Sequence, residues 1–306
     1  MIKVTVWSEH VQDRGIEAFP PDSPLLQNPE LREFLEFSAR EIKKVHPNGL
    51  HNTLKALLEE EEDFSVRVAT MEMPECGLTQ EVLDDTDVLV WWAHVAHDQV
   101  PDEIAFRVRD AVWKGMGFIG LHSAHPSKPM QLLVGASGSL KWREGDRARV
   151  WCCNPTHPIA EGIPESFELE NEEMYGEPFD IATPDELVFI SWFSGGEVFR
   201  SGCCWNRGRG KVFYFQPGHE TQPSYYVPEV RRIIKNAVRW ARPVCRLEKI
   251  ECPHAKIRPE DQYKKYATAK RGASHSGAPR SLLYANILIF GTAFRSRSPS
   301  SPAIRR

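Results

Sequence analysis

Three short apolar runs in this chain, at 87–92 (Asp-Val-Leu-Val-Trp-Trp), 118–121 (Phe-Ile-Gly-Leu) and 211–215 (Lys-Val-Phe-Tyr-Phe), each break off into a histidine-bearing turn. Runs of this length without polar alternation suit strands covered on both faces, the condition of a parallel sheet flanked by helices. His94 and His97 follow the first run, His122, Ser123 and His125 the second, and His219 and Glu220 the third. Carboxyl ends of parallel strands open onto one crevice, so side chains remote in sequence are gathered there. The plainer reading of any one of these histidines is a satisfied core or surface group, and it suits His125 best.

The segments between these runs predict the connections. Pro101 at the first helical position, with Asp102 and Glu103 in the first turn, starts a helix that Gly115 and Gly117 stop after Lys114, which makes a β-helix-β unit. Residues 2–7 read as a strand ending in Ser8-Glu9-His10. Leu31, Phe34, Leu35, Ile42 and Val45 recur at helical spacing over 30–45, and Leu54, Leu57 and Leu58 do so over 52–62. Residues 64–69 then form a strand beside the first, across a right-handed crossover. Further strands are predicted over 148–153, 166–169, 187–191 and 198–205, and the Gly208-Arg209-Gly210 turn leads into 211–215. The run 170–177 (Glu-Asn-Glu-Glu-Met-Tyr-Gly-Glu) reads as a dense carboxylate cluster, in its plainest form a solvated acidic loop. A helix over 228–241, with Val230, Ile233, Ile234, Ala237 and Val238 on its apolar stripe, closes the domain. The fold class is therefore α/β, doubly wound, with a mainly parallel sheet and helices on both faces, over residues 1–243.

Charge separates that domain from the C-terminal stretch. Arg246–Arg306 carries 13 Lys+Arg against 4 Asp+Glu, a surplus of +9 in a chain whose net charge is -4, so the remainder stands at -13. An acidic body lacks the basic face that a phosphate backbone requires, which excludes nucleic acid as a partner of the main domain. Residues 244–306, rich in Gly, Ser, Pro and Arg at 272–279 and 296–302, read as a basic disordered tail. The seven Cys include the adjacent pairs Cys152-Cys153 and Cys203-Cys204 and no Cys-x-x-Cys. Neighbours on a strand face opposite ways, so the expectation is reduced, packed thiols in a reducing compartment. The chain enters its first strand without a charged lead and apolar core, and no apolar run reaches the roughly 20 residues of a membrane span, so the expected location is cytoplasmic.

Imidazoles from several strand ends beside carboxylates such as Glu172 and Glu173 form the donor set of a divalent transition metal, Zn, Mn, Fe or Ni, rather than Mg or Ca. His94, His97, His122 and His219, in some subset, are the candidate ligands. Glu173 is the candidate general base, its pKa expected to be raised by Glu172 and partial burial. Tyr175 or Tyr225 would donate a proton. Ser123, with His219 as base and Glu220 behind it, is an alternative nucleophile, although no Gly-x-Ser-x-Gly frame surrounds it.

Five blocks carry a resemblance: Trp-Trp-Ala-His-Val-Ala-His at 91–97, Gly-Met-Gly-Phe-Ile-Gly-Leu-His-Ser at 115–123, Leu-Lys-Trp-Arg-Glu at 140–144, Glu-Glu-Met-Tyr-Gly-Glu at 172–177 and Phe-Gln-Pro-Gly-His-Glu-Thr at 215–221. With them the chain resembles the ThuA-like proteins, named for trehalose utilisation, of the class I glutamine amidotransferase-like superfamily. The resemblance spans nearly all of residues 2–243. It implies a flavodoxin-like sheet and a link to disaccharide or keto-sugar metabolism. The amidotransferases place a cysteine nucleophile on the elbow after the central strand, where this chain carries His122 with no Cys near it, so it is not expected to be a glutamine amidotransferase.

The function expected is thus a carbohydrate-processing enzyme, a metal-assisted hydrolase, lyase or isomerase, with a small-molecule sugar as partner and no nucleotide cofactor. Its catalytic residues would be His122, Glu173, His219 and Tyr175. Trp142 would stack on a sugar face, and Asp98, Ser123, Arg143 and Glu172 would bind its hydroxyls. Two other classes stay open: a non-catalytic sugar-binding or regulatory module on the same scaffold, and a Ser-dependent hydrolase. A homo-oligomer is compatible with all three.

Overall fold

Val4, Val6 and Trp7 are fully buried, and the strand that carries them, β1 (Ile2–Ser8), lies within the parallel half of the sheet in the computed structural model, which describes residues 1–251, 257, 258, 260, 261, 263 and 264. β1 pairs in parallel with β2 (Phe64–Thr70) on one side and β3 (Val88–Trp92) on the other. β3 pairs with β4 (Gly117–Leu121), and β4 with β9 (Gly210–Phe215), again in parallel. From β9 the sheet continues antiparallel through β8 (Val198–Arg207), β7 (Glu186–Phe193), β5 (Lys141–Cys152) and β6 (Ser166–Gly176), giving nine strands in the order β2-β1-β3-β4-β9-β8-β7-β5-β6. Every residue of β3 and β4 is buried, as their unbroken apolar sequence requires. Trp7 stacks on Trp91 across the β1–β3 pair, ring centroids 3.7 Å apart.

The β1–β2 crossover steps one way across the sheet and the β3–β4 crossover the other, so their helices cover opposite faces. α2 (Leu50–Leu58) and α6 (Pro228–Ala241) both adjoin the turn at 223–226, while α4 (Asp102–Lys114) packs with α3 (Gln80–Asp84) and α5 (Lys128–Val134). α6 buries Val230, Ile233, Ile234 and Val238 on one stripe, each burial stabilising by about 1.5–3 kcal/mol. Its last turn lies so close to β4 that a Cβ on Gly117 would collide with the Ala241 carbonyl oxygen. α1 (Pro29–Val45) is capped by Asn28, whose side chain accepts from the Glu30 and Leu31 N–H groups. Pro101 sits at the cap of α4, one residue before its first turn.

Two differences from the sequence reading bear on function. Residues 141–152 form one long strand, β5, whose pairing shifts register between Arg143 and Ala148, where Gly145 takes a positive φ of 53°. Residues 170–177 are not a solvated acidic loop: β6 runs on to Gly176, and its residues 172–176 are all buried. Although β6 is the last strand in the sheet order, the Gln216 amide donates to the Glu173 carbonyl at 3.0 Å. The curl of the twisted sheet thus returns β6 to the segment after β9.

The compact unit is Met1–Ile250. Within it the Leu247 N–H donates to the Lys114 carbonyl at 2.9 Å, and Arg246 pairs with Asp87 at 3.1 Å. In the second unit, Glu251–Arg306, Arg258 pairs with Asp261 at 2.8 Å. Cys252 and the stretches at 272–279 and 296–302 expected to be disordered lie outside the described residues. Cys76, Cys152, Cys153, Cys203, Cys204 and Cys245 are free thiols, and among the described residues no helix is long and apolar enough to cross a membrane.

Candidate active site

Four strand ends and β6 meet at one point. After β1, the buried Glu9 carboxylate accepts from the Val95 and Ala96 N–H groups, both at 2.9 Å, and pins the turn that follows β3. That turn presents His94, whose Nδ1 donates to Glu220 at 2.9 and 3.1 Å. Burial opposes charge on this ring, but Glu220 outweighs it, with help from Glu173 and Glu9, and holds the imidazolium up to about 9. The Glu220 carboxyl is correspondingly held well below the usual range: burial would raise it, and the nearby His94 and His219 overcome that.

β4 ends on His122, a non-glycine residue at φ 50°, a conformation worth about 1–3 kcal/mol of strain and met mostly where a side chain must be aimed. Its Nδ1 lies 2.9 Å from the Gln216 carbonyl, which can only accept, so Nδ1 carries the proton and Nε2 faces the site. Nε2 stands 3.0 Å from Glu173 Oε2 and 3.3 Å from the Tyr175 hydroxyl. Both His122 and Glu173 are buried, at 0% and 4% exposure. Burial disfavours charge on each, yet their mutual attraction prevails, raising the His122 pKa and lowering that of Glu173. The raised pKa expected for Glu173 is therefore corrected: Glu172 is its neighbour in sequence, but the group facing its carboxylate is an imidazole. Burial, reinforced by Glu173, pushes the Tyr175 phenol well up, so it stays protonated.

His219 completes the group from the segment after β9. The centroids of the three rings lie 5.9 Å (His94–His122), 5.5 Å (His94–His219) and 5.3 Å (His122–His219) apart, each pair near perpendicular. Two sets of donors, His94–His219–Glu220 and His122–Glu173–His219, each place one ligand-type atom per residue within 4.8 Å of the others. The His122 side matches a divalent transition metal on two counts. Its tautomer is set by a backbone carbonyl behind it, as metal-bound imidazoles commonly are. Glu173 Oε2, though 3.0 Å from Nε2, is buried without a well-aligned hydrogen bond. Mixed imidazole and carboxylate donors are the set that Zn, Mn, Fe or Ni accept.

The other expected site residues are placed differently. His97 belongs to neither donor set; burial pushes it down to about 4, and neither ring nitrogen has a partner. His125, half-buried, donates to the Gly138 carbonyl at 2.6 Å and is pushed down by burial to about 3, a backbone-bonded group. Glu172 is fully buried and spends its oxygens on four donors: the N–H groups of Glu173, Gly218 and His219, and the Ser224 hydroxyl. It anchors the segment bearing His219 and leaves no lone pair facing the cluster for a sugar. Tyr225 is buried against Gly218, where an added Cβ would collide with its hydroxyl. The Ser123 hydroxyl has no hydrogen-bond partner, so no base is positioned on it. Asp98 is exposed, Trp142 is 62% exposed on β5, and Arg143 is engaged by Asp146 and Glu197.

Sequence reasoning did not single out Glu9 or Gln12 as site residues. Glu9 carried a faint signal, a carboxylate at a strand's carboxyl end; Gln12, which donates to Glu220 at 3.0 Å, carried none.

Comparison with known proteins agrees with this architecture. The ThuA family, described as trehalose utilisation, matches residues 37–241. A ThuA-like protein from Parabacteroides merdae superposes with a TM-score of 0.53 at 14% identity, over 81% of this chain and 92% of that one. A ThuA-like protein from Bacteroides uniformis (TM-score 0.45, 14% identity, 78% and 90% covered) and a cytoplasmic protein from Salmonella typhimurium LT2 (0.49, 13%, 79% and 100%) are more distant in shape. No curated protein matches the chain at a significant level. At such identities the likeness establishes the fold.

Proposed function

The chain belongs to the ThuA family of trehalose utilisation, and on that premise we propose that it is an enzyme that processes a disaccharide or a keto-sugar derived from one at the His94–His122–His219 cluster. One observation carries the reading: three imidazoles and two carboxylates, delivered by four separate segments, converge with ring centroids 5.3–5.9 Å apart. A module that only binds sugar gains nothing from burying so many ionisable groups together, because each costs desolvation. Such clusters mark sites of proton transfer or metal chemistry.

His122, Glu173 and His219 would hold a divalent transition metal. When bound, such an ion polarises a sugar carbonyl or lowers the pKa of a water. The protein's own groups do the rest. Glu220 fixes the His94 ring through Nδ1 and leaves Nε2, on the most exposed of the three rings, to take or give a substrate proton. The Tyr175 hydroxyl, protonated at neutral pH and 3.3 Å from His122 Nε2, donates to a sugar oxygen. Burial of the remaining members keeps bulk water from competing.

Metal analysis of untagged protein, with turnover of trehalose and its keto derivatives by wild type, His122→Ala and His219→Ala, tests the reading. Both variants are expected to lose one equivalent of bound metal and at least about a hundredfold in turnover. If the wild type holds no metal and both variants process these sugars normally, the reading fails.

A further inference from the structure

A second group of ligand-type side chains stands where the chain leaves β1. His10 and Asp13 come from the turn after that strand and His51 from the first turn of α2, and each presents one donor atom within 4.8 Å of the others. His10 Nε2 lies 4.0 Å and His51 Nδ1 3.7 Å from Asp13 Oδ2. These gaps are too wide for hydrogen bonds. They exceed by about 0.4–0.7 Å the roughly 3.3 Å that separates two ligands of a tetrahedral zinc, a difference that a small side-chain rotation closes. His51 is 7% exposed, and its Nδ1, aimed at Asp13, has no hydrogen-bond partner. Asp13 is buried to the same degree and is held in place by the Leu50 N–H at 3.0 Å. A buried nitrogen facing a buried carboxylate oxygen across such a gap is the arrangement an ion closes.

The surroundings prepare the donors. His10 Nδ1 donates to Glu72 Oε1 at 2.7 Å, which turns Nε2 toward Asp13 in the carboxylate–histidine order seen behind metal ligands. Burial, and then the neighbouring His10, holds His51 neutral down to about 4, the form that ligates. Its Nε2 lies 3.1 Å from the side-chain nitrogen of Asn52, which also donates to the Asn48 carbonyl at 2.7 Å; this exposed amide must turn its oxygen to the ring, giving up the Asn48 bond, to accept from Nε2–H once Nδ1 ligates. His10 and Glu72 also border a cavity of about 520 Å³, which leaves room for water or a substrate oxygen as a further ligand. The geometry points to a second divalent-cation site formed by His10 Nε2, Asp13 Oδ2 and His51 Nδ1 and oriented by Glu72, with the nitrogen-rich donor set that zinc or nickel takes.

This site does not depend on the function proposed for the three-histidine cluster. The test uses the full untagged chain, stripped by chelator and titrated with Zn²⁺ or Co²⁺, with bound metal counted by elemental analysis and Co²⁺ coordination followed by visible absorption. The variants are His10→Asn, which removes the imidazole but tolerates the positive φ of 53°, Asp13→Asn and His122→Ala, each checked by circular dichroism. His10→Asn and Asp13→Asn are each expected to lose one equivalent that His122→Ala retains. A wild type without that equivalent, folded His10→Asn and Asp13→Asn variants that keep it, or a wild type with a single equivalent that all three variants abolish, would each overturn the site. If His122→Ala retains all of the wild-type metal while His10→Asn loses an equivalent, this site stands and the metal reading of the other cluster falls.

Discussion

Glu172→Gln is nearly isosteric, and its consequence stems from four hydrogen bonds. Oε1 accepts from the Glu173 N–H (3.0 Å) and the His219 N–H (3.1 Å), and Oε2 from the Gly218 N–H (2.9 Å) and the Ser224 hydroxyl (2.6 Å). An amide can keep only one oxygen. The less costly orientation leaves the oxygen on the two backbone donors at Oε1 and sets NH₂ against Ser224, whose hydroxyl can turn to accept, and against the Gly218 N–H, which cannot. One orphaned buried N–H costs about 1–3 kcal/mol, and loss of charge assistance in the surviving bonds adds about 1 kcal/mol, so about 2–4 kcal/mol is expected. At roughly 2–4 °C per kcal/mol for a unit of this size, Tm falls by about 5–15 °C. The 216–220 segment loosens with it, and metal content is expected to drop although no proposed ligand is changed. Thermal and urea unfolding, with Glu170→Gln as control at an exposed position of the same acidic run, measure this. A Glu172→Gln protein within about 0.5 kcal/mol of that control would refute the anchoring role.

Three further outcomes are expected from the same geometry. His46 is fully buried and pushed by burial down to about 4 in the folded state, against about 6.5 unfolded, so the unfolded chain alone takes up this proton as pH drops below 6.5; stability is lost between pH 6.5 and 4, by about 2 kcal/mol at pH 5. In His46→Phe, which keeps a ring against Tyr226, the pH 7-to-5 loss in urea-unfolding free energy should shrink by that amount. Gly117→Ala drives a Cβ into the Ala241 carbonyl and side chain and should cost about 1–3 kcal/mol in the same assay; a neutral result would mean that α6 does not lie so close. Trp142→Ala should leave stability within about 0.5 kcal/mol because the ring is largely exposed, and a raised KM for the sugar, absent any such change in stability, would give Trp142 its stacking role.

Local pattern determined a good deal of this protein. The unbroken apolar runs at β3, β4 and β9, each ending in polar groups, marked strands covered on both faces and located the edge where the site lies, and the stripe of α6 was legible from its spacing alone. Such features arise from burial along a single element, which a residue and its near neighbours encode. Tertiary structure decided which of the strand-end histidines meet. His94, His122 and His219 come together, while the His97 ring joins neither donor set and His125 bonds a backbone carbonyl. It also separated the two adjacent glutamates, turning Glu172 onto backbone N–H groups and Glu173 onto an imidazole, because successive residues of a strand face opposite sides. No spacing within 166–176 foretells that the curl of a nine-stranded sheet returns its last strand to the first strands' carboxyl ends, since that depends on twist summed over every intervening pair.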